Sequence, residues 1–367
     1  MNIADSDAAL IPVPLTDIRG NGKYDDAERL FQGIPTIEKT PGGTLWAAFY
    51  GGGDNEGPNN YVLIVTSDDN GRTWSSPTWA IDPPGLVRAF DPCLWVDPLG
   101  RLWLFWAQSF GETIFDGRCG VWASVCGNPD AAQPEWGLPR RIAHGIMMNK
   151  PTVLSSGEWL LPSAVWSCMS SSLHSLPEER FSQVLASADQ GESFNKRGHA
   201  DVPNRHFDEH MIVERKDGSL WMLVRTYYGI GESVSEDGGL TWSPGKPTRL
   251  GGPSSRFFIR RLRSGRLLLV NHYGYRGRSH LTAQLSEDDG LTWSEGLLLD
   301  ERSDISYPDG TEDAAGCIYI IYDRERYKEK QILMAVFTEE DVLAECCVSE
   351  AARLKVLVHQ AGVLREK

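Results

Sequence analysis

Residues 235–242, which read S-E-D-G-G-L-T-W, form a pattern that the chain repeats three more times. The other copies are 67–74 (S-D-D-N-G-R-T-W), 187–194 (S-A-D-Q-G-E-S-F) and 286–293 (S-E-D-D-G-L-T-W). In the shared frame S-x-D-x-G-x-[TS]-[WF], the Asp carboxylate can accept backbone N–H bonds, the Gly supplies a left-handed position, and the aromatic ring packs on the layer beneath. We therefore interpret each copy, called a box below, as a hairpin turn with an architectural role.

The spacing of the boxes predicts the architecture. Ser187 and Ser235 are 48 residues apart and Ser235 and Ser286 are 51 apart, whereas Ser67 and Ser187 are 120 apart. The longest interval therefore holds two units, one of which has no box. A period of about 40–50 residues with several short strands is typical of a β-propeller with four-stranded blades. With the unit without a box at 88–135 and a last unit after Trp293, the sequence predicts an all-β, six-bladed β-propeller with four Asp-box hairpins.

Composition agrees with one turn-rich β domain. The 367 residues include 13 Trp and 37 Gly, and 41% of them are hydrophobic, which is typical of a well-filled all-β chain. We predict that residues 1–367 form a single propeller domain, with a short helix and a closing segment at about 338–367, where Thr338 resembles a helix cap. The formal net charge of −14 argues against nucleic acid or an anionic membrane as a partner.

Cysteines and the chain start favour a cytoplasmic protein. The seven Cys give neither a zinc spacing nor a disulfide framework, and we expect no metal and no cofactor. The first ten residues lack the basic start and apolar run of a signal peptide, and no stretch is long enough to span a bilayer. We therefore expect a cytoplasmic location, or a secreted or periplasmic one if a leader has been removed.

Candidate site residues follow from the ring geometry, which brings the inner strands of all blades together. The candidates are polar residues at corresponding blade positions: Asp54, Glu209, Arg225, Arg278 and Tyr307. Further candidates for binding the substrate are Asp91, Lys150, Arg256, Arg261, His210 and His272.

Several of these features together resemble the bacterial sialidase (neuraminidase) superfamily, over nearly the whole chain. They are the four boxes, the phrase G-D-x-x-G-P-N at 53–59, Glu209 sixteen residues ahead of Arg225, Arg278 eight residues ahead of Ser286, and Ser306-Tyr307 at the start of the last blade. The resemblance implies an exo-glycosidase that hydrolyses a terminal acidic sugar, sialic acid or a related one, from a glycan.

The resemblance also implies roles for single residues. Tyr307 would be the nucleophile, with Glu209 as the neighbouring base, because an unassisted Tyr has a pKa near ~10. Asp54 would act as general acid and then as general base. Arg225 and Arg278 would bind the substrate carboxylate, to which a guanidinium offers bidentate hydrogen bonds.

One position departs from the pattern. Sialidases place an Arg in an Arg-Ile-Pro motif on the first strand, whereas this sequence has Gly33-Ile34-Pro35. Loss of one charge-assisted contact costs on the order of 1.5–3 kcal/mol, or roughly 10- to 150-fold in binding. Arg29, Arg256 and Arg276 are candidate replacements. Alternatively, the glycine makes room for a bulkier or differently charged sugar.

Two other hypotheses stay open. Four His, namely His206, His210, His272 and His280, titrate near working pH, so a propeller hydrolase or lyase for uronate- or rhamnose-containing polysaccharide would use His210 or His272 as acid/base. In the plainer interpretation, His206 and His210 only position Glu209. The third hypothesis is a carbohydrate-binding propeller without catalysis.

Overall fold

The computed structural model describes residues 7–111, 115–166 and 176–362, which are almost entirely β. They form six small sheets, five with four strands and one with five. Within each sheet, strands that follow one another in sequence pair antiparallel, except that the first strand of the chain pairs with the fifth. The sheets are the six blades of a β-propeller. The predicted fold is thus confirmed.

The strands are numbered in chain order. Blade one contains β1 (Thr16–Asp17), β2 (Gln32–Lys39), β3 (Leu45–Gly51), β4 (Tyr61–Ser67) and β5 (Trp79–Ile81). Blade two contains β6 (Val87–Val96), β7 (Leu102–Phe110), β8 (Gly120–Cys126) and β9 (Arg140–His144). Blade three contains β10 (Thr152–Val153), β11 (Trp159–Ala164), β12 (Ser182–Ser187) and β13 (Asn195–Ala200).

Blade four contains β14 (Met211–Glu214), β15 (Leu220–Thr226), β16 (Gly229–Ser235) and β17 (Lys246–Pro247). Blade five contains β18 (Phe258–Arg261), β19 (Leu267–Asn271), β20 (Ser279–Ser286) and β21 (Leu297–Ser303). Blade six contains β22 (Ile305–Glu312), β23 (Ile318–Arg324), β24 (Gln331–Phe337) and β25 (Arg353–Gln360). In the described ranges, one α-helix, α1 (Glu339–Leu343), precedes β25, and short 3-10 helices cover Asp7–Leu10, Gly22–Tyr24, Asp26–Glu28 and Pro177–Glu179.

Each box is the turn between the third and fourth strands of its blade, counted outward from the axis; in blade one these strands are β4 and β5. In blade four, Ser235 Oγ donates to Asp237 Oδ1 (2.8 Å) and accepts from the Gly239 N–H (2.9 Å). The N–H of Thr241 donates to the same carboxylate oxygen at 2.9 Å. Gly239 has φ +91°, a left-handed conformation that glycine adopts without strain. The turn satisfies its own polar groups, so it needs no support from a ligand.

Blade six is built entirely from the C-terminal part of the chain. Its outer strand β25 pairs with β24, and α1 occupies the connection where four other blades carry a box. Thr338 caps this helix by accepting a hydrogen bond from the Asp341 N–H. The ring closes through side chains, because Gln32 of blade one donates to Lys330 O (2.9 Å) and lies 3.1 Å from His359 Nδ1.

The inner strands β2, β6, β10, β14, β18 and β22 surround the axis, and the hydrophobic core lies between neighbouring blades. Because all inner strands of a propeller run the same way, residues near their starts meet at one end of the axis and residues near their ends meet at the other. No helix in the described ranges is long and apolar enough to cross a membrane.

Candidate functional site

Three inner strands carry the same distortion near their starts. Ile34 in β2, Asp91 in β6 and Tyr307 in β22 have φ values of 55°, 49° and 56°, and each is followed by proline. The strand register shifts at each of these points. A positive φ at a bulky residue is a strained conformation, and such a bulge turns a side chain to a direction that a regular strand does not offer. Two of the three side chains, those of Asp91 and Tyr307, are polar.

The hydroxyl of Tyr307 forms the centre of a buried hydrogen-bonded group. It donates to Glu209 Oε1 at 2.9 Å and accepts from Arg225 Nη1 at 3.0 Å. Arg225 Nη1 also lies 2.7 Å from Glu209 Oε1. The other carboxylate oxygen, Glu209 Oε2, is buried and has no hydrogen-bond partner in the described part of the chain. The structure therefore brings together three residues that the sequence placed in one site from three separate segments.

Glu209 is held by a tight bend before β14. Phe207 and Asp208 both have a left-handed backbone, with φ values of 64° and 43°. Asp208 anchors the bend, because its Oδ1 accepts from Ser182 Oγ at 2.9 Å and forms an ion pair with Arg205 at 2.6 Å. Two successive non-glycine residues in this region are strained, and the strain is sustained by these contacts. The bend directs Glu209 toward Tyr307.

Two further arginines flank the ring of Tyr307. The guanidinium carbon of Arg278 lies 5.4 Å from the ring centroid, and that of Arg326 lies 4.9 Å from it. Arg278 Nη1 is 3.4 Å from Ser306 Oγ, and Arg326 Nη1 donates to Glu56 Oε1 at 2.7 Å. Both arginines line a cavity of about 200 Å³, together with Asp304, Ser306, Glu325, Tyr327 and Lys328. Arg278 is thus beside Tyr307 as expected, and Arg326 is a site residue that the sequence did not indicate.

Arg326 fills the space beside Gly33. A Cβ atom built on Gly33 would overlap Cγ and Cδ of Arg326. None of the three proposed replacements lies there: Arg29 bonds to Gln32 and Asp26, Arg256 bonds to Met148 and Asn149, and Arg276 is exposed on the loop after β19. Arg326 could have been found from its position on the hairpin that follows β23, the strand next after the one that carries the Tyr307 bulge.

Burial and the neighbouring arginines have opposite effects on the pKa of Tyr307. Burial in the site raises the pKa of Tyr307 to about 12, and the negative charge of Glu209 adds to the rise, while Arg225, Arg278 and Arg326 oppose it. The phenol is therefore protonated at rest and donates to Glu209. The positive charges of Arg225, Arg278 and Arg326 would stabilise the phenolate that forms when the proton leaves.

Asp54 lies on the exposed part of the loop at 52–60 and has no hydrogen bond or ion pair to any described residue. The loop is ordered instead by Asn60, whose Nδ2 donates to Gly52 O at 2.7 Å. Two residues after Asp54, Glu56 reaches Arg326. The structure therefore does not connect Asp54 to the Tyr307 group, and its role as acid and base stays a prediction.

Asp91 is a second carboxyl group of the site. It is buried, and burial raises its pKa well above the ordinary value, with the charges of Glu56 and Glu209 acting in the same direction and Arg88 and Arg256 in the opposite one. Its surroundings thus favour the protonated form of Asp91. Its Asp-Pro pair on a distorted inner strand is the same local signal as Tyr307-Pro308.

Lys150 and Arg256, predicted to bind substrate, are engaged in a network on the propeller axis. Lys150 Nζ lies 2.9 Å from Glu38 Oε1 and 3.1 Å from Asp309 Oδ2. Arg256 is fully buried, donates to Asn149 Oδ1 at 2.6 Å and pairs with Asp309 at 3.3 Å. These cations neutralise buried carboxylates, because an unpaired charge is rarely tolerated inside a protein. The structure assigns them to the axis and not to the group around Tyr307.

Arg261 lies at the end of β18, away from the site. Its Nη2 donates to Asp289 Oδ1 (2.7 Å) in the box of blade five and to Glu214 O (2.8 Å) in blade four. It therefore joins two blades at the end of the axis opposite to Tyr307, and its part in substrate binding stays a prediction.

Neither His210 nor His272 presents a free ring nitrogen to solvent. His210 is buried with Nδ1 2.8 Å from Asp208 O and Nε2 2.8 Å from Gln183 O. His272 is buried with Nδ1 3.0 Å from Ser279 O, and burial lowers its pKa to about 4. His210 fastens the bend that carries Glu209, in line with the plainer interpretation. The structure offers no support for either His as an acid/base that contacts substrate.

The other two histidines stack on tyrosines. The rings of His206 and Tyr227 lie 4.1 Å apart, and those of His280 and Tyr275 lie 3.7 Å apart. His206 Nδ1 is also 2.8 Å from Ser254 Oγ, which accepts from Arg225 Nε at 3.3 Å. His206 thus borders the site and supports Arg225. In the described ranges, no group of His, Cys, Asp and Glu is arranged to hold a metal ion.

Comparison with known families identifies the repeat. The family of BNR repeat-like domains matches residues 43–320, a span that covers most of the blades. Among curated proteins, none matches the chain significantly.

Solved structures with the same fold include several sialidases. The Hadza microbial sialidase Hz136 is 20% identical with a TM-score of 0.66, and the match covers 81% of this chain and 64% of that one. The chain thus spans less than two thirds of the length of that sialidase. The K499G mutant of NanB sialidase from Streptococcus pneumoniae is 13% identical with a TM-score of 0.67, covering 90% and 71%. The intramolecular trans-sialidase from Ruminococcus gnavus is 15% identical with a TM-score of 0.65, covering 91% and 99%. At these identities the similarity shows a shared fold.

Proposed function

The chain belongs to the BNR repeat-like domain family and has a sialidase-like propeller fold, and on this premise we propose that it is a glycoside hydrolase that removes a terminal acidic sugar from a glycan. The observation that carries the proposal is the buried Tyr307 hydroxyl, bonded to both Glu209 and Arg225. A structural tyrosine has no need of a carboxylate and a guanidinium on the same hydroxyl, since both charges must be desolvated to reach it.

The chemistry follows from the three groups. As Tyr307 Oη attacks the anomeric carbon, its proton moves to Glu209, and the bond from that carbon to the aglycone oxygen breaks. A carboxylic acid of the site protonates the leaving oxygen. Water then attacks the anomeric carbon of the adduct, and the bond from that carbon to Tyr307 Oη breaks. One proton of the water goes to the carboxylate that protonated the leaving oxygen, and Tyr307 takes its own proton back from Glu209. Arg225 donates to the phenolic oxygen and stabilises the charge that develops there.

Asp91 has the property that the acid needs. A general acid must carry a proton at working pH, and burial raises the pKa of Asp91 and so favours that form. Asp54, by contrast, is exposed. We therefore include Asp91 beside Asp54 as a candidate for protonating the aglycone oxygen, and the two can be separated by substitution.

We infer the preference for an acidic sugar from two arginines that lie together in a protein of negative net charge. The chain has a formal net charge of −14, yet Arg225 and Arg278 both face Tyr307. Arginine pairs with carboxylate through two parallel hydrogen bonds, so a sugar acid suits this pocket better than a neutral sugar does.

A substrate screen tests the proposal. Fluorogenic glycosides of sialic acid, glucuronic acid and rhamnose are incubated with the protein, and acid-quenched samples are searched by mass spectrometry for a glycosyl adduct on the peptide that contains Tyr307. We expect turnover of at least one acidic glycoside together with this adduct. Turnover of the rhamnoside alone would contradict the acidic substrate, and binding of glycans with no turnover would select a carbohydrate-binding propeller instead.

A further inference from the structure

The exposed tyrosines of the chain all lie at one end of the propeller. They occupy the turns between the second and third strands of blades four, five and six, at the end of the axis where Tyr307 lies. These residues are Tyr227, Tyr228, Tyr273, Tyr275 and Tyr327. A tyrosine offers a large, rigid contact surface, and a concentration of exposed aromatic rings marks a binding surface. This end of the propeller therefore binds more than one sugar unit can cover.

A groove between blades four and five collects three of these tyrosines. Its volume is about 520 Å³, within the roughly 300–1,000 Å³ of sites for small ligands. The lining consists of Tyr227, Tyr228, residues 251–254, Gly274, Tyr275 and Arg276, and we call it the tyrosine groove. Arg276 is the only charged residue among these lining residues, so the groove suits a neutral ligand, in contrast to the cavity beside Arg278 and Arg326.

Two of the tyrosine rings are held in place by histidines. His206 stacks on Tyr227 with 4.1 Å between the ring centroids and 16° between the planes, and His280 stacks on Tyr275 with 3.7 Å and 5°. Tyr227 is nevertheless 64% exposed and Tyr275 42% exposed, so each ring presents its other face and its edge. The C–H groups of a sugar ring pack well on such a face, which carries negative charge density.

The floor of the groove consists of backbone. Gly252 has φ +130°, and a Cβ atom built on it would lie 2.9 Å from the side chain of Asn271. Asn271 Nδ2 donates to Gly251 O at 2.6 Å, which fixes this segment against blade five. The glycines thus keep side chains out of the floor, and backbone groups can approach a ligand closely. Such groups match the hydroxyls of a sugar as donors and acceptors.

The tyrosine groove is continuous with the group around Tyr307. Ser254 lies in the lining, and its Oγ accepts from Arg225 Nε at 3.3 Å and lies 2.8 Å from His206 Nδ1. Arg225 in turn donates to the Tyr307 hydroxyl. A glycan whose terminal sugar is at Tyr307 therefore has the groove directly beside it.

We propose that the tyrosine groove binds the neutral sugar units that carry the acidic terminal sugar, and that Tyr227 and Tyr275 select oligosaccharides over short glycosides. The proposal rests on the proposed function, because the neutral units are those of the glycan that Tyr307 attacks. Stacking on two rings recognises the shape of a sugar, and the backbone floor recognises its hydroxyls.

Kinetics with two substrates test the groove. The acidic sugar preferred in the screen is presented as its methyl glycoside and as its glycoside with lactose, and the released acid is measured by chromatography. Tyr275→Ala should lower kcat/KM for the lactose derivative by roughly 2- to 12-fold, the value of one aromatic contact, through a higher KM. It should leave the methyl glycoside unchanged, and Tyr275→Phe should keep most of the activity on both. Tyr273→Ala is the matched control, since Tyr273 is 45% exposed on the same loop but outside the lining.

A second variant fills the groove instead of removing a ring. Gly251 does not have a positive φ, and a Cβ atom built on it meets only Gly274 N, at 4.0 Å, so a side chain fits there without strain. Gly251→Trp should therefore fold and reduce kcat/KM for the lactose derivative while the methyl glycoside is still hydrolysed. It keeps the test open if Tyr275→Ala does not fold.

Two kinetic outcomes would overturn the groove and leave the proposed function intact. One is equal loss on both substrates, which would show that Tyr275 and Gly251 act only on the group around Tyr307. The other is undiminished activity of both variants on the lactose derivative. Wild-type protein that hydrolyses neither substrate would refute the proposed function. An array of neutral oligosaccharides would then decide on the groove: binding that Gly251→Trp abolishes would support it, and no binding by the wild type would overturn it.

Discussion

Replacing Tyr307 by Phe removes one oxygen atom from the centre of the site. The pKa of Tyr307 is raised to about 12, so forming the phenolate at pH 7 costs about 7 kcal/mol at 1.36 kcal/mol per pH unit. That cost already includes the attraction of Arg225, 3.0 Å from the hydroxyl, so the phenolate forms only as its bond to the anomeric carbon does, while the proton passes to Glu209 at 2.9 Å. Phe leaves both partners paired at 2.7 Å but offers nothing to attack the anomeric carbon. We expect kcat to fall by at least about 10⁴-fold, as it does when a hydrolase loses its nucleophile.

The fold should survive this change. Two hydrogen bonds to charged partners are lost, but neither Glu209 nor Arg225 is left unpaired, so we expect the free energy of unfolding to fall by only about 1–3 kcal/mol. Tyr322→Phe is the matched control, because its buried hydroxyl donates to Asp300 Oδ2 at 3.0 Å outside the site. The assay is kcat on the best acidic glycoside, with a urea unfolding curve for each variant. Tyr307→Phe with kcat within about 10-fold of wild type would refute the nucleophile, since 10-fold is only 1.4 kcal/mol of barrier.

Three other predictions can be tested on the same material. Asp91→Asn should remove most turnover at neutral pH, because burial raises the pKa of this carboxyl and favours the protonated form that a general acid needs. Asp54→Asn should leave kcat/KM nearly unchanged. Loss of turnover in Asp54→Asn but not in Asp91→Asn would restore Asp54 as the acid. Asp237→Asn should lower the melting temperature at pH 7 and flatten its fall below pH 4. Hydrogen bonds from Thr241 lower the pKa of Asp237 to about 2, below its unfolded value, so this stability is present above pH 4 and lost as pH falls toward 2; equal acid sensitivity of variant and wild type would contradict this. Lys150→Met should cost about 3–5 kcal/mol of unfolding free energy, because it breaks a buried ion pair, while acid binding by the folded protein is kept; a stable variant with weak binding would return Lys150 to the substrate site.

Local patterns in the sequence were sufficient for the fold. A box carries its own hydrogen bonds, so its presence depends on eight consecutive residues and not on distant ones. Its repetition therefore predicted the blades. The family match confirmed the BNR repeat, and solved sialidases share the fold. The same holds for the helix cap at Thr338, which depends on neighbouring residues.

Partnerships between charges could not be predicted in this way. Lys150 and Arg256 were expected to face a ligand, yet they pair with Glu38 and Asp309, carboxylates on the inner strands of blades one and six. Which cation pairs with which anion depends on distances between blades across the axis, and a local sequence pattern does not predict those distances. Arg326 escaped notice for the same reason, because its importance depends on the room beside Gly33, 293 positions earlier in the chain.

The axial network explains why those charges are buried so close to the site. Asp309 lies two residues after Tyr307, and its carboxylate accepts from Thr36 Oγ1 at 2.7 Å and pairs with Lys150 and Arg256. Ser306, the residue before Tyr307, donates to Asp323 Oδ1 at 2.6 Å. The strained bulge of Tyr307 is thus fixed on both sides, by blades one, three and five after it and by its own blade before it. A nucleophile that must meet Glu209 and Arg225 within about 0.5 Å needs such support. The buried ion pairs on the axis therefore help to hold Tyr307 in place beside Glu209 and Arg225.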